Sequence, residues 1–100
     1  MIYSVTFHPE ALREYSAASI WYEEQKEGLG IRFERTIDNK ISQILHTPSA
    51  FPKTRNLYRQ AITRTFPFVI VFKVNARQKE VYISSIFHTS RNPRGKYRKL

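Results

Sequence analysis

The chain has 100 residues, a formal net charge of +9 at pH 7 and no cysteine. This length suffices for one domain that folds without disulfides or structural metal. The absence of cysteine excludes disulfides, thiolate nucleophiles and cysteine-based metal sites. The apolar stretches are far shorter than the ~20 residues of a membrane span, and the N-terminus lacks the plan of a signal peptide. We therefore expect a single soluble domain over residues 1–100, located in the cytoplasm.

The charges are segregated along the chain. Residues 1–46 carry seven acids against five Lys or Arg, a net −2, while residues 47–100 carry twelve Lys or Arg against Glu80 alone, a net +11. Folding does not require a surplus of positive charge on one half of the chain, so this surplus is evidence about a binding partner. An anionic partner fits it: a nucleic acid, a ribosomal surface, an enzyme that handles DNA, or an acidic protein.

The first half of the chain predicts one strand and two helices. Residues 1–7 alternate in the manner of a strand, and Pro9 then suits the first turn of a helix over residues 9–26. A break at Gly28 and Gly30 ends this helix, and apolar residues at helical spacing define a second helix that ends before Pro48. The short break predicts an antiparallel helical hairpin.

The second half predicts three strands after a loop over residues 47–56. Strand patterns cover residues 57–65, 67–74 and 80–87, and residues 75–78 resemble the turn of a hairpin. The middle strand is apolar on both faces, with Phe68, Ile70 and Phe72 on one side and Val69 and Val71 on the other, so it is expected to be central.

These elements predict an α+β fold of order β-α-α-β-β-β, with a helical hairpin packed on one face of a mainly antiparallel sheet. The helices and the sheet are expected to share one core, and its predicted members are Leu12, Trp21, Phe33, Ile37, Ile41, Ile70 and Phe72.

The residues contain no local motif for a cofactor or a metal. No phosphate-binding loop, dinucleotide fingerprint, metal-binding His pair or nucleophile elbow is present. His8 before Pro9 and His46 near a helix end are expected to be structural. His88 ends the last strand beside basic residues. Its imidazole could there transfer a proton or contact a phosphate, or it could cap the sheet edge through a hydrogen bond, and the residues alone favour neither role.

The order of the motifs resembles a known superfamily. The chain combines a strand, a helical hairpin, Arg59, the segment RTFPFVIVF from Arg64, the segment VYISSIFH ending at His88, and Arg91-Asn92-Pro93. Together these resemble the RelE/ParE toxins of bacterial toxin-antitoxin pairs over nearly the whole chain. The Phe-Pro-Phe entry into the central strand, the His-x-x-Arg-x-Pro ending and Trp21-Tyr22-Glu23 look closer to the ParE (plasmid stabilisation) branch.

This resemblance implies a growth-inhibiting toxin that is neutralised by a cognate antitoxin. ParE-like members are associated with inhibition of DNA gyrase, and RelE-like members cleave mRNA on the ribosome. RelE-like nucleases typically place an arginine in the central strand, where this chain has Val69. A valine cannot activate a 2′-hydroxyl or stabilise a phosphorane, so we favour gyrase inhibition without catalysis. A ribosome-dependent mRNA endoribonuclease is the alternative, and a small basic nucleic-acid-binding module is a third.

Candidate site residues follow from the same resemblance and from the charge pattern. The predicted target-binding residues are Arg59, His88, Arg91, Arg94 and Arg98, with Phe66 and Phe68 as the wall that positions them. A nuclease centre would instead combine Arg59, Arg64, His88 and Arg91.

The basic C-terminal tail has two interpretations. It either contacts the target, or docks on the domain through Tyr97 and Leu100.

Overall fold

The computed structural model describes residues 2–91 and 95–99. Its elements follow the predicted order, with a short 3₁₀ turn, Pro48–Ala50, inside the predicted loop. The strands and helices are β1 (Ser4–Phe7), α1 (Pro9–Gln25), α2 (Leu29–His46), β2 (Tyr58–Ile62), β3 (Phe68–Asn75) and β4 (Glu80–His88). The predicted α+β class and the predicted element order are confirmed.

The four strands form one mixed sheet of order β1-β4-β3-β2. β3 pairs antiparallel with both β2 and β4, so its predicted central position is confirmed. β1 runs parallel to β4, and the last paired residues of these two strands are Phe7 and Ile83. Within the part of the chain that the structure describes, the last five residues of β4 therefore have β3 on one side and no strand on the other. This open edge determines the surroundings of the candidate site.

The predicted turn between β3 and β4 is also present. Asn75 Oδ1 accepts a hydrogen bond from the backbone N–H of Gln78 at 3.1 Å, which is the usual way in which asparagine stabilises a turn. The same two strands contain a bulge: Val71 pairs with Ser85 and Phe72 pairs with Ile83, so Ser84 is the extra residue. A bulge disturbs the alternation of side chains along a strand, and both Ser84 and Ser85 donate to the carbonyl of Lys96.

The two helices form an antiparallel hairpin that is joined by polar contacts. Ser19 Oγ donates to Glu34 Oε2 at 2.5 Å, and the hydroxyl of Tyr15 donates to Asp38 at 3.0 Å. The carboxylate of Glu23 accepts the backbone N–H groups of Gly28 and Gly30. It thus satisfies two donors at the N-terminus of α2, where a negative charge is also favourable.

One face of the sheet and the inner face of the hairpin share the main core. Phe33, Ile37 and Phe72 are completely buried there, and the aromatic rings of Tyr22, Phe66 and Phe68 pack around Phe33. Of the predicted core, Phe33, Ile37, Ile41, Ile70 and Phe72 are confirmed as buried members.

The prediction was wrong for Leu12 and Trp21, whose side chains are 46% and 56% exposed. Ala11, Tyr15, Ala18 and Tyr22 face the core instead, at the i, i+4, i+7 and i+11 spacing of one helical face. Leu12 and Trp21 are each next in sequence to an inward residue, so the turn of the helix carries them about 100° away.

The second face of the sheet carries a smaller apolar cluster of Tyr58, Val69, Val71 and Phe87, against which Tyr97 packs. The rings of Tyr58 and Tyr97 lie 5.1 Å apart. The hydroxyls of Tyr58 and Tyr82 donate to the carbonyl of Arg98 at 3.0 and 2.9 Å. The segment 95–99 is therefore docked on the sheet, as the second interpretation of the tail expected for Tyr97. Leu100 lies outside the described residues.

Replacing Gly30 with alanine is expected to destabilise the domain by about 1 to 3 kcal/mol, the usual cost of forcing extra volume into a packed contact. A Cβ at this position would lie 2.7 Å from the backbone carbonyl oxygen of Ser19, so the helices would have to separate. Asn39→Ala, at an exposed position of α2, is the control. Chemical denaturation measures both variants, and equal stabilities would show that the hairpin adapts without cost.

Among the described residues, no helix is long and apolar enough to cross a membrane.

Candidate functional site

A groove of about 820 Å³ lies between α1 and the open edge of β4. α1 contributes Ala17, Ala18 and Trp21 to it, and the sheet contributes Phe68 and Ile86. Basic and imidazole side chains lie around this apolar surface: Arg13 on α1, and His88 and Arg91 at the end of β4. An apolar cleft with a few polar groups at its margin is the usual form of a binding site.

His88 is oriented by the residues that follow it. Its Nδ1 accepts the backbone N–H of Ser90 at 3.0 Å and lies 2.8 Å from the Ser90 hydroxyl oxygen. Because Nδ1 is the acceptor, this hydrogen-bond geometry assigns the proton of the neutral ring to Nε2. The ring also packs edge-to-face on Phe68, with 5.4 Å between centroids. His88 is thus held at the groove with one N–H available as a donor.

Arg91 is placed by the same turn, because its backbone N–H donates to the carbonyl of His88 at 2.9 Å. Its side chain is exposed and lines the groove. Arg13 lies on the α1 side, where it forms an ion pair with Glu10. The groove therefore has a guanidinium group on each side.

Two of the predicted contact arginines make contacts within the domain. Arg59 Nη1 donates to the carbonyl of Phe51 at 2.6 Å and so fastens the loop before β2. Arg98 forms a bidentate pair with Glu14, at 3.0 and 3.2 Å, and also donates to the carbonyl of Ser84 at 3.0 Å.

The other predicted residues are divided between the core and the surface. Phe66 and Phe68 are 5% and 6% exposed. Phe68 lines the groove, and Phe66 packs against Tyr22, which also lines it. Arg64 is exposed in the turn between β2 and β3, outside the groove. Arg94 lies outside the described residues.

The sequence interpretation did not assign Trp21, Ala17 or Glu14 to the site. Trp21 was assigned to the core because large aromatic residues are usually buried. The available signal was its helical phase: Tyr22, not Trp21, continues the inward series of α1.

The second face of the sheet contains few groups capable of acid-base chemistry. Burial raises the pKa of the Tyr58 hydroxyl, and the same effect, with a smaller contribution from Tyr58, raises the pKa of Tyr82 despite the opposing charge of Arg98. Both phenols stay protonated at neutral pH and act as donors to the tail. Val69 and Val71, on the same face of the sheet, are 8% and 1% exposed and offer only aliphatic surface.

No group of three His, Asp or Glu side chains that could hold a metal ion occurs within residues 2–91 and 95–99.

The groove, the docked tail and the helical hairpin on a four-stranded sheet define a small α+β domain. A profile of the family described as "ParE toxin of type II toxin-antitoxin system, parDE" matches residues 5–93. The chain therefore belongs to this family, a member of the RelE/ParE superfamily of type II toxins.

Solved structures of RelE toxins share the fold. A mutant of Escherichia coli RelE in complex with the antitoxin RelBc peptide superposes with a TM-score of 0.63 at 21% identity over 100% of both chains. The intact E. coli RelBE complex gives 0.63 at 20% identity, covering 89% of this chain and 99% of that chain. The RelBE2 complex of Mycobacterium tuberculosis gives 0.63 at 12% identity, covering 88% and 99%. No match was found among curated proteins.

Proposed function

We propose that this toxin is ParE-like: it inhibits growth by binding DNA gyrase in the cytoplasm and is neutralised by a cognate antitoxin. The observation that carries the proposal is the second face of the central strand. Val69 and Val71 are buried there among Tyr58, Phe87 and Tyr97. The side chains of this cluster include no carboxylate or imidazole to activate a 2′-hydroxyl, and burial raises the pKa of the Tyr58 hydroxyl further above neutral pH.

The groove supplies the target-binding surface in this proposal. Its apolar part gives desolvated contact area, and His88 and Arg91 add donors at the margin. Arginine and aromatic anchors commonly provide most of the energy of protein interfaces. Arg94, which lies outside the described residues, belongs to the proposed contact set on its place in the sequence. Phe68 forms part of the apolar wall of the groove, and Phe66 supports it through Tyr22. Arg59 and Arg98 contribute indirectly, because they hold the loop before β2 and the tail.

A second candidate, ribosome-dependent mRNA cleavage, is favoured by one observation. His88 has its Nε2–H available at the groove, and Arg91 lies beside it, so the two could donate a proton and stabilise phosphate charge. Arg59 and Arg64 would complete that centre. Against it, Arg59 is engaged with the carbonyl of Phe51.

Purified toxin is expected to inhibit gyrase supercoiling and to leave mRNA on translating ribosomes intact. Arg91→Ala should weaken gyrase inhibition about tenfold, because arginine is enriched among the few interface residues whose loss costs more than about 1 kcal/mol. Its stability should change by less than about 0.5 kcal/mol, as at most exposed positions. Arg77→Ala is the matched control, since Arg77 is exposed in the turn at the opposite end of β3 and β4.

The two candidates give opposite results in these assays. Cuts in ribosome-bound mRNA that disappear in His88→Ala would replace gyrase inhibition with the interferase mechanism. If Arg77→Ala weakened gyrase inhibition as strongly as Arg91→Ala, general positive charge rather than the groove would explain binding.

A further inference from the structure

The outer side of α1 carries an exposed apolar ridge that is separate from the groove. Leu12 and Ile20 are 46% and 60% exposed. Ser16, also exposed, lies midway between them at a spacing of four residues, so the three side chains form one ridge along the helix. Ala17 and Trp21, which line the groove, each follow a ridge residue in sequence and lie about 100° farther round the helix. An occupant of the ridge therefore leaves the groove accessible.

The start of α2 extends this apolar surface at one end. Ile31 is 56% exposed and follows Gly30, whose backbone N–H donates to Glu23 and whose carbonyl accepts the hydroxyl of Ser19. These contacts place Ile31 beside the part of α1 that carries Ile20. Exposed apolar residues that occur singly need no explanation, whereas a group of them on one side of an element indicates a contact surface.

The charge of the hairpin favours a second copy of the chain as the occupant. Residues 9–46 carry seven acids against five Lys or Arg, a net −2, whereas residues 47–100 carry a net +11. A nucleic acid or an acidic protein is attracted to the basic half of the molecule and not to this surface. Two copies that meet through their hairpins bring their least positive sides together and keep their basic sheets apart.

The ridge is also self-complementary when two copies of α1 lie antiparallel. With Ser16 of one copy facing Ser16 of the other, each Leu12 lies opposite an Ile20, because both are four residues from the centre. A small side chain at the centre lets the two helices approach closely. Such an arrangement pairs the same surface with itself, as a two-fold symmetric interface requires.

The next position at each end of the ridge carries a polar partner. His8, the N-cap of α1, and Glu24 are each eight residues from Ser16 and so come opposite each other in the same antiparallel arrangement. The Nδ1 atom of His8 accepts the backbone N–H of Glu10 at 3.0 Å, which leaves its Nε2–H as a donor for a carboxylate.

We propose that the toxin associates into a two-fold symmetric dimer through α1, with the ridge of Leu12, Ser16 and Ile20 packed against its counterpart and Ile31 at the margin. So few side chains form an interface below the ~1,200 Å² of standard protein complexes, so the dimer is weak and forms as the concentration rises. The dimer presents two grooves, which raises its apparent affinity for any target that has two equivalent sites within reach.

Sedimentation equilibrium of the purified toxin is expected to give a mass that rises from 11.9 kDa towards twice that value between low and high micromolar concentrations. Ile20→Glu should weaken the association at least about tenfold, because it places carboxylates in an apolar contact. Ile62→Glu is the matched control, since Ile62 is 52% exposed on β2, outside the hairpin, and it should leave the association unchanged. Thermal melts at low concentration show whether both variants fold.

A cross-linking experiment tests the position of the symmetry axis. The chain has no cysteine, so a single introduced thiol can react only with that of another copy. Ser16→Cys should form a disulfide-linked dimer on mild oxidation, because the two thiols meet at the axis. Ala76→Cys, an exposed position in the turn between β3 and β4, should stay monomeric. This experiment leaves the apolar side chains in place, so it holds even if Ile20→Glu folds poorly.

The proposal is overturned if the toxin stays monomeric over the whole concentration range, if Ile62→Glu weakens the association as much as Ile20→Glu, or if Ala76→Cys is linked as readily as Ser16→Cys. A monomeric toxin whose Ile20→Glu variant loses its antitoxin would also overturn it and assign the ridge to that partner. None of these measurements involves gyrase, so the proposed function is tested separately.

Discussion

Phe33→Ala is expected to lower the free energy of unfolding by about 3 to 5 kcal/mol, the range for deletion of a buried aromatic ring. Phe33 is completely buried, and its ring packs 4.9 Å from that of Phe68 and 5.3 Å from that of Tyr22. It therefore joins both helices to the sheet. A loss of this size removes a large share of the 5 to 15 kcal/mol that usually stabilises a domain.

Trp21→Ala is the matched control for Phe33→Ala, since it deletes a larger ring from an exposed position. It should change the stability by about 0.5 kcal/mol or less. Chemical denaturation of both variants provides the comparison. Similar losses would place Trp21 in the folded core and contradict the helical phase described for α1.

Arg98→Ala is expected to cost about 1 to 3 kcal/mol, below the 3 to 5 kcal/mol typical of breaking a fully buried ion pair. The side chains of Arg98 and Glu14 retain 17% and 22% exposure, which lowers the cost of leaving Glu14 without its partner. For a domain of this size, such a loss lowers the melting temperature by roughly 4 to 8 °C per kcal/mol.

A double-mutant cycle with Glu14→Ala separates the pair from the other contacts of each residue. We expect a coupling energy of about 0.5 to 3 kcal/mol, as is usual for residues in direct contact. Lys99→Ala is the control, because Lys99 is an exposed cation beside Arg98 in the tail. Removal of residues 95–100 should cost more than Arg98→Ala, since it also deletes the packing of Tyr97. An unchanged melting curve for this truncation would show that the tail is not part of the fold.

The sequence was sufficient to predict the architecture because its periodic signals agree with one another. Pro9, Gly28 and Pro48 delimit the helices, and the two apolar faces of β3 indicated its central position. The bulge at Ser84 was not predictable, because it depends on the register between two distant segments. The parallel pairing of β1 with β4 was not predictable either, because it joins two segments far apart in the chain and local residue spacing carries no information about it.

The candidate site was predictable in part. His88 was selected because it ends the last strand and Arg91 because it follows shortly after, and the structure brings both to the groove. The sequence could not show that Arg91 lines the groove while Arg59 and Arg98 contact a carbonyl oxygen and Glu14, because an exposed and an engaged arginine look alike in a sequence. That difference lies in contacts between residues such as Arg98 and Glu14, which are 84 positions apart.

Backbone carbonyl oxygens of the docked tail accept hydrogen bonds from the sheet, beside the side-chain contacts of Tyr97 and Arg98. Tyr58 and Tyr82 donate to that of Arg98, and Ser84 and Ser85 donate to that of Lys96. Every amino acid has a backbone carbonyl oxygen, so these hydrogen bonds fix the position of the backbone and do not depend on which side chain is present. Substitution at position 96 should thus leave these hydrogen bonds in place, although it removes the contacts of the Lys96 ammonium group with the rings of Phe87 and Tyr97. The hydroxyl groups that hold the backbone of this segment therefore belong to the strands beneath it.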